Sequence, residues 1–274
     1  MADQQNGTPD GGTAPEIDLS RPSIARVYDA VLGGKDNYEV DRVVADEVRR
    51  NMPHISDVGW YNRAALGRMV GHLASEAVGI DQFIDLGAGL PTLENTHQVA
   101  QRQNPDARVV YVDNDPIVLA HGRALLEEND RTAVVTADLR DPAAVLGHPS
   151  VQRLIDFSKP VGVMLVGILH HLHDDEDPQG VVTAYMDAVP PGSHLVLTCF
   201  CDTGPEARAV EVTMLDFLGT GRFRTIEEIT AYFDGLELLD PGVVSLPLWR
   251  PDGPVALPLD VAQELMAGGV ARKA

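Results

Sequence analysis

The sequence predicts an α/β protein whose mostly parallel sheet is covered by helices. Short apolar runs bounded by turn residues alternate with stretches of helical periodicity along most of the 274 residues, as in successive βαβ units. One run, residues 161–168, is almost wholly apolar, which is typical of a central parallel strand buried on both faces. Another begins at Phe83 and enters a glycine turn at residues 87–89, as strands do at the ligand-binding edge of such sheets.

The composition limits the kinds of partner that we expect. The net charge of −20, from 41 acidic and 21 basic residues, opposes phosphate backbones and anionic lipids, so neither nucleic acid nor a membrane is an expected partner. Apolar runs fall short of the roughly 20 residues that span a bilayer, and the N-terminus lacks a signal pattern, so the expected location is the cytoplasm. The expected partner is a small-molecule substrate; the oligomeric state stays open, with a homodimer as one option.

Before the first strand the chain divides into a tail and a helical cap. Residues 1–20 carry no Lys or Arg and show no periodicity, which predicts a disordered tail. Residues 21–78 are predicted as an N-terminal cap with helices over 23–32, 39–50 and 58–74. The polar loop between the first two helices is interpreted as an active-site lid, the alternative being a helix C-cap followed by an N-cap. The lid and substrate candidates are Tyr28, Lys35, Asp36, Asn37 and Tyr38.

From residue 79 to residue 274 strands and helices alternate. Asp115 and Pro116 have the form of an N-cap and first helical residue, and Thr225 and Glu228 have the form of a capping box. The predicted strands begin at residue 83 and then cover 108–112, 132–137, 161–168 and 194–200, with two short strands within 236–249 joined as a hairpin at residues 241–242. The predicted helices cover 92–101, 116–128, 179–188, 206–218 and 225–233, and a loop with one short helix follows residue 251.

The glycine turn predicts a nucleotide-like ligand. Glycines let the backbone approach a ligand closely, and an acid precedes them. A dinucleotide-binding loop would have a third glycine at position 92, but that position is Thr92, which disfavours a nicotinamide cofactor. An acid at the strand end suits S-adenosylmethionine, which has no phosphate. The candidates in this turn are Asp85, Gly87, Ala88 and Gly89.

Polar residues at the next strand ends extend this candidate site. Asp113, followed by Asn114, offers a carboxylate that can accept two hydrogen bonds from a ribose diol, a turn-forming acid being the alternative. Asp138 can accept from an adenine amino group, and Leu139 can supply an apolar surface or a backbone donor. Arg63, in the third predicted helix, can reach a carboxylate such as the methionine end of the cofactor, although most helical arginines are solvated.

His170 and His171 follow the apolar strand at 161–168 and should border the reactive end of the cofactor. A histidine there can orient a substrate or take its proton, since its reference pKa is about 6.5. The alternative is a histidine satisfied in the core or at the rim. A metal is not expected, because the spacing of these histidines and the acids after them matches no standard ligand set. Cys199 and Cys201 are predicted as small buried apolar residues.

Several segments together resemble an actinobacterial family of S-adenosyl methyltransferases formerly catalogued as a domain of unknown function. They lie at residues 26–29, 33–38, 85–92, 111–116, 169–171 and 241–244. The resemblance implies a three-layer, Rossmann-like class I methyltransferase fold, with a seven-stranded, mostly parallel sheet, a terminal antiparallel hairpin and the helical cap. Residues 79–274 would then be the cofactor-binding domain. It also implies a turn role for Asp85, Gly87 and Gly89, a ribose role for Asp113 and an adenine role for Asp138. Pro91 stands where the usual motif has a third glycine.

The expected function is therefore methyl transfer from S-adenosylmethionine to an unidentified small molecule, giving S-adenosylhomocysteine. Such a transfer is a direct displacement, so the protein needs to align the reactants and requires no covalent nucleophile. The pocket is expected between the strand ends and the N-terminal helices, lined by residues 35–38 and His170. The competing interpretation is a non-catalytic protein of the same fold that binds the cofactor or another nucleoside as a sensor, or scaffolds a partner.

Overall fold

The computed structural model describes residues 18–91, 94–125 and 129–274, and within these ranges eight strands form one sheet. Each of the first five strands is short and almost entirely buried, since helices cover the sheet on both sides. The strands are β1 (Gln82–Leu86), β2 (Arg108–Asp113), β3 (Thr132–Thr136), β4 (Gly162–Val166), β5 (His194–Phe200), β6 (Glu237–Leu238), β7 (Val244–Ser245) and β8 (Met266–Arg272).

The helices of the described residues fall before, between and after these strands. They are α1 (Ile24–Val31), α2 (Glu39–Asn51), α3 (Ile55–Ala74), α4 (Thr96–Gln103), α5 (Pro116–Leu125), α6 (Pro142–Leu146), α7 (Pro149–Leu154), α8 (Pro178–Asp187), α9 (Pro205–Leu218), α10 (Ile226–Ala231) and α11 (Val261–Glu264). Short 3-10 turns cover Leu169–His171, Asp174–Glu176 and Leu246–Leu248.

The strand order is β3-β2-β1-β4-β5-β8-β6, and β7 pairs with β8 beside β6. Strands β1 to β5 run parallel to one another. The order reverses direction between β1 and β4, which is the switch point at which open α/β sheets bind ligands. Strand β8 runs antiparallel to β5, β6 and β7.

Alternate residues of each central strand belong to different hydrophobic cores. In β4, Met164 packs into one core with α3 and α9, whereas Val163 and Leu165 pack into the other with α7 and α8. This alternation follows from the two-residue period of a strand. Because both faces of β4 are buried, successive residues are apolar, which explains the continuous apolar run in the sequence.

Local capping contacts explain where several helices begin. Ser23 Oγ accepts a hydrogen bond from Arg26 N at 3.3 Å at the start of α1. Asp115 Oδ1 accepts from Ile117 N at 3.0 Å before α5, and Thr225 caps α10 in the predicted capping box. These side chains satisfy N–H groups that the helix itself leaves without partners.

The predicted terminal hairpin is wrong. Strands β6 and β7 do not pair with each other; Leu238 lies opposite Ala271 and Val244 opposite Gly268, so both strands pair with β8. The sequence analysis predicted a loop and one short helix after residue 251. The helix is present as α11, but β8 was missed, and the sheet has eight strands rather than seven.

Some predictions fall on residues outside the described ranges. These are residues 1–17 of the predicted tail, the start of the helix predicted at 92–101, and the end of the helix predicted at 116–128. Where the chain is described again, α4 begins at Thr96 after the capping residue Asn95.

The predicted helical cap shares its core with the sheet. Leu66, Met69 and Leu73 of α3 belong to the same hydrophobic cluster as Phe83 of β1 and Val109 of β2. The third cap helix thus packs directly on the sheet, while α1 and α2 lie toward α9 and the strand ends. A domain boundary at residue 78 stays a prediction. Among the described residues, no helix combines the length and apolarity that crossing a membrane requires.

Candidate functional site

A cavity of about 420 Å³ lies at the carboxyl ends of the parallel strands, beside α1 and α3. It joins residues that are far apart in the sequence, because the carboxyl ends of parallel strands meet at one edge of the sheet. The predicted site residues that line it are Tyr28, Arg63, Asp85, Gly87, Ala88, Gly89, Asp113, Asn114, Asp138, Leu139, His170 and His171.

The glycine turn forms one wall of this cavity. Gly87 N and Ala88 N both donate to Val112 O, at 2.8 and 3.1 Å, which fixes the turn beside the end of β2. Gly87 and Gly89 have φ values of +70° and +66°. A Cβ on Gly87 would lie 2.4 Å from the Ile168 side chain, whereas a Cβ on Gly89 would meet nothing within 4 Å. Packing therefore requires the first glycine, and the second leaves space beside the turn.

Asp85 connects β1 to the start of α4. Its Oδ2 accepts a hydrogen bond from Thr96 Oγ1 at 2.7 Å, and the residue is 5% exposed. Burial raises the pKa of this carboxyl, while the Thr96 hydrogen bond and the nearby charge of Arg63 oppose the rise. Arg63, on α3, donates from Nη2 to Glu94 O at 3.0 Å. These contacts hold the elements on either side of the glycine turn together.

Asp113 occupies the tip of β2 and contacts the glycine turn. Its Oδ2 accepts from Gly89 N at 2.8 Å, and its Oδ1 accepts from Asp115 N at 2.9 Å. Burial raises the pKa of Asp113 to about 6, although these backbone hydrogen bonds favour the charged form. A carboxylate here already binds backbone donors with both oxygens, and each oxygen can accept a further hydrogen bond.

Asp138 is held by a neighbouring cation. Arg140 donates to its carboxylate from Nε at 2.9 and 3.0 Å and from Nη2 at 2.6 Å, and also pairs with Glu176. Together with a hydrogen bond from Asn114, the Arg140 contacts hold the pKa of Asp138 below its usual range. An adenine amino group at this carboxylate would have to share it with Arg140.

His170 and His171 lie in the 3-10 turn after β4 and are 2% and 8% exposed. The His170 ring packs edge-on against Phe200, with ring centroids 4.7 Å apart. His171 Nδ1 lies 2.9 Å from Thr220 Oγ1. Burial lowers the pKa of His171 to about 3, and burial, with the neighbouring His171 and Arg224, holds the pKa of His170 well below its usual value. Both rings are therefore neutral near pH 7.

The predicted lid loop does not line the cavity in the described structure. Asp29, at the end of α1, accepts hydrogen bonds at its Oδ2 from Asp36 N at 2.9 Å and from Asn37 Nδ2 at 2.7 Å. The Tyr38 ring lies 5.4 Å from the guanidinium of Arg26. Asp36 and Asn37 are thus bound to Asp29, and Tyr38 lies beside Arg26, so Lys35, Asp36, Asn37 and Tyr38 do not line the cavity and their role as lid residues stays a prediction. The physical reason is that the buried end of α1 supplies a carboxylate that the polar loop folds around.

Asn62 and Phe200 are among the lining residues that were not predicted from the sequence. Asn62 of α3 is 4% exposed, and its Oδ1 accepts from Thr198 Oγ1 of β5 at 2.8 Å. Phe200 ends β5 at the same sheet edge as the predicted acids. The position of Phe200 at the end of a parallel strand could have indicated a site residue. Nothing in the sequence around Asn62 indicated one, apart from its place on a predicted helix. Tyr28, which was predicted, lines the cavity and donates to Gly59 O at 3.3 Å.

Metal-binding side chains do not assemble in the part of the chain that the structure describes, where no group of three or more His, Cys, Asp or Glu could hold an ion. The two cysteines are free and buried. Burial raises the pKa of Cys199 to about 12 and that of Cys201 to about 11, so both remain thiols.

The sheet order, the glycine turn after β1 and the acids at the next strand ends together define a class I methyltransferase fold. Residues 10–274 match the family model described as S-adenosyl methyltransferase, and the chain belongs to that family. Its cofactor is S-adenosylmethionine.

Solved structures agree with this assignment. A putative methyltransferase from Thermobifida fusca is 53% identical, with a TM-score of 0.90 over 93% of this chain and 96% of that one. A DUF574 family protein from Streptomyces avermitilis is 37% identical, with a TM-score of 0.90 over 94% of this chain and all of the other. An O-methyltransferase family protein from Burkholderia thailandensis, 15% identical with a TM-score of 0.51 over 89% and 67% of the two chains, shares the fold alone. Comparison with curated proteins gives no significant match.

The cavity fits this cofactor chemically. Asp113 offers a carboxylate to a diol, and Gly89 leaves space beside the turn. Family membership favours methyl transfer over the sensor or scaffold interpretation.

Proposed function

We propose that the protein transfers the methyl group of S-adenosylmethionine to a small molecule bound in the cavity. One observation carries this proposal: the residues of the glycine turn and the two buried histidines line the same cavity of about 420 Å³. Cavities of this size bind small ligands, and burial of both reactants in one space excludes water from the reaction.

In this proposal the cofactor binds on the side of the cavity formed by the glycine turn at residues 87–89, which we call the turn side. Asp113 accepts hydrogen bonds from the ribose hydroxyls, and Arg63 pairs with the carboxylate of the methionine end. Asp85 fixes the turn through Thr96. Asn114, Asp138 and Leu139 border the adenine. The cofactor, when bound, supplies a methyl group on a positively charged sulfur.

The histidines bind and orient the acceptor. Their neutral rings offer one hydrogen-bond acceptor and one donor each at physiological pH. Because burial lowers the pKa of both rings, they are weak bases, so their main contribution is alignment of the acceptor with the methyl group. The contact of His171 with Thr220 leaves His170 as the better candidate for contact with the acceptor.

The test follows transfer of labelled methyl groups. The purified protein is incubated with methyl-labelled S-adenosylmethionine and fractions of small-molecule extract, and the labelled product is sought by mass spectrometry. Label in a small molecule, with formation of S-adenosylhomocysteine, is the expected result. Tight cofactor binding without transfer to any fraction would contradict the proposal.

A variant pair separates binding from turnover. His170→Gln should lower turnover about tenfold or more while changing affinity for S-adenosylhomocysteine less than about twofold, because loss of alignment affects the chemical step. His173→Gln is the control, since His173 lies in the same segment but is exposed and does not line the cavity. An unchanged rate in His170→Gln would remove His170 from the acceptor site.

A further inference from the structure

The side of the cavity beyond the glycine turn has a distinct chemical character. We call it the acceptor end and define it by His170, His171, Phe200, Met214, Leu218 and Met266. These residues are contiguous: His170 packs on Phe200, Phe200 lies opposite Met266 in the β5–β8 ladder, and Met214 and Leu218 are one turn apart on α9. The acceptor end adjoins the turn, since Ile168 packs against Gly87.

The acceptor end carries no charged side chain among the described residues. The charged groups that line the cavity are Arg63, Asp85, Asp113, Asp115, Asp138 and Arg140, which belong to α3 and to the ends of β1 to β3. Arg224 lies close enough to affect His170, but it is 3% exposed, pairs with Asp174 and donates from Nη2 to Leu172 O at 3.3 Å. A charged acceptor would therefore lose its hydration at this end without gaining a counter-ion.

One polar atom at this end lacks a partner. His170 Nδ1 is buried and has no hydrogen-bond partner within the described ranges, and the residue is 2% exposed. Because Nδ1 is itself buried, a ligand in the cavity reaches the other nitrogen of this lining ring, Nε2. A hydroxyl or N–H group on the ligand could donate to this nitrogen when it is the unprotonated one of the ring.

We infer that the methyl acceptor is an uncharged, largely apolar small molecule whose single hydroxyl or N–H group pairs with His170 Nε2. The inference rests on the proposed function. In the transfer, the oxygen or nitrogen of that group forms a bond to the methyl carbon as the carbon–sulfur bond breaks. The sulfur keeps the electron pair, and the proton of the acceptor group is released to water.

The test compares matched aromatic probes on protein saturated with S-adenosylhomocysteine. Naphthol, methoxynaphthalene and naphthoate share one ring system but present a donor, a methyl-blocked oxygen and a charge, and their affinities are measured by calorimetry. Naphthol should bind more tightly than methoxynaphthalene by about fivefold, the usual effect of one hydrogen bond. It should bind more tightly than naphthoate by about tenfold or more, because of the unpaired buried charge.

Variants assign the preference to His170. His170→Phe keeps a ring but removes the nitrogen, so naphthol and methoxynaphthalene should bind equally. Where that variant fails to fold, His170→Asn serves instead and should retain part of the preference. His173→Gln, the exposed neighbour, should behave as the unmodified protein.

Each failure has a separate meaning. Naphthoate binding as tightly as naphthol, or no binding of any of these probes to the loaded protein, would overturn the inference while leaving methyl transfer intact. Failure to bind S-adenosylhomocysteine at all would instead contradict the proposed function itself.

Discussion

At the scale of single residues, Asp113 combines two requirements that oppose each other. In the proposed function its carboxylate accepts from a ribose diol and must be charged to do so strongly, yet burial at the tip of β2 raises its pKa to about 6. The hydrogen bonds from Gly89 N and Asp115 N limit the rise. A proton therefore competes with the cofactor in mildly acidic solution.

This competition predicts the pH dependence of cofactor binding. Affinity for S-adenosylhomocysteine should be constant above pH 7 and fall by up to about tenfold per pH unit below a pH of about 6, as Asp113 gains its proton. Calorimetric titrations across this range measure it. Asp113→Asn should bind more weakly by about 1–3 kcal/mol at pH 7.5 and lose the pH dependence. Equal affinities of the two proteins would remove Asp113 from the cofactor site.

The sequence predicted this part of the cavity wall better than the lid. Asp85, Asp113 and Asp138 could be found because each lies near the carboxyl end of a recognisable strand, and parallel strand ends converge. The contacts of Asp36 and Asn37 could not be predicted, because their partner, the carboxylate of Asp29, is placed by folding of the preceding helix.

At the scale of secondary-structure elements, the glycine turn and the β4 segment fit against each other. Gly87 packs against Ile168, two residues before His170, so the turn side and the acceptor end share one contact. A change in either element should alter the position of the other.

Alanine substitutions test this contact. Gly87→Ala should destabilise the protein by about 2–4 kcal/mol, from the left-handed backbone and the clash with Ile168. Gly89→Ala imposes the same backbone strain, but its methyl group meets open space, so the free energy of unfolding should fall by only about 1–2 kcal/mol. Urea unfolding measures both. In a protein that also carries Ile168→Ala, the difference in unfolding free energy between Gly87→Ala and Gly89→Ala should be smaller. Equal losses of unfolding free energy for these two variants in the otherwise unmodified protein would argue against the contact.

A buried ion pair fixes the helices beside the cavity. Arg26 Nε lies 2.9 Å from Asp41 Oδ2, and their side chains are 2% and 0% exposed. Asp41 also accepts from Ser23 N and Tyr38 N. This pair therefore joins α1, α2 and the loop between them.

Removal of one partner should leave a buried charge. Arg26→Met should destabilise the protein by about 3–5 kcal/mol in urea unfolding, and the double variant Arg26→Met with Asp41→Leu should cost less. Arg50→Met is the control, since Arg50 is 68% exposed and pairs with Glu47 on the surface. If the double variant lost as much unfolding free energy as the two single variants together, the two side chains would not be coupled.

Strand β8 shows why part of the sheet could not be predicted. Its sequence contains Gly268 and Gly269, and glycine disfavours strands in general. A Cβ at Gly268 would lie 2.3 Å from Leu197 O, and one at Gly269 would lie 2.9 Å from Gly242 O. The glycines thus reflect close backbone approach on both sides of β8, which only tertiary packing defines.

At the scale of the whole molecule, buried histidines make stability sensitive to acid. Burial lowers the pKa of His171 to about 3 and of His194 to about 4, and also lowers that of His170. Because the unfolded chain binds protons at these rings below a pH of about 6.5, their contribution to stability is lost as the pH falls. Asp85 and Asp113 act in the opposite sense, since burial raises the pKa of both carboxyls and so favours the folded state at low pH.

The three histidines outweigh these two carboxyls in mildly acidic solution. The free energy of unfolding should fall by roughly 2–3 kcal/mol between about pH 7 and about pH 5.5. His194→Gln should reduce this fall in unfolding free energy by about a third. His54→Gln is the control and should not change it, because the His54 side chain is 77% exposed. Urea unfolding at several pH values measures the slope, and a flat profile would show that these rings are protonated in the folded protein.

The proposed function requires one cavity to hold both cofactor and acceptor. A crystal structure with S-adenosylhomocysteine tests this most directly. Ribose hydroxyls are expected within hydrogen-bond distance of the Asp113 carboxylate, with the sulfur facing the acceptor end at His170 and Phe200. A cofactor bound elsewhere, or one whose sulfur faces away from these residues, would contradict it.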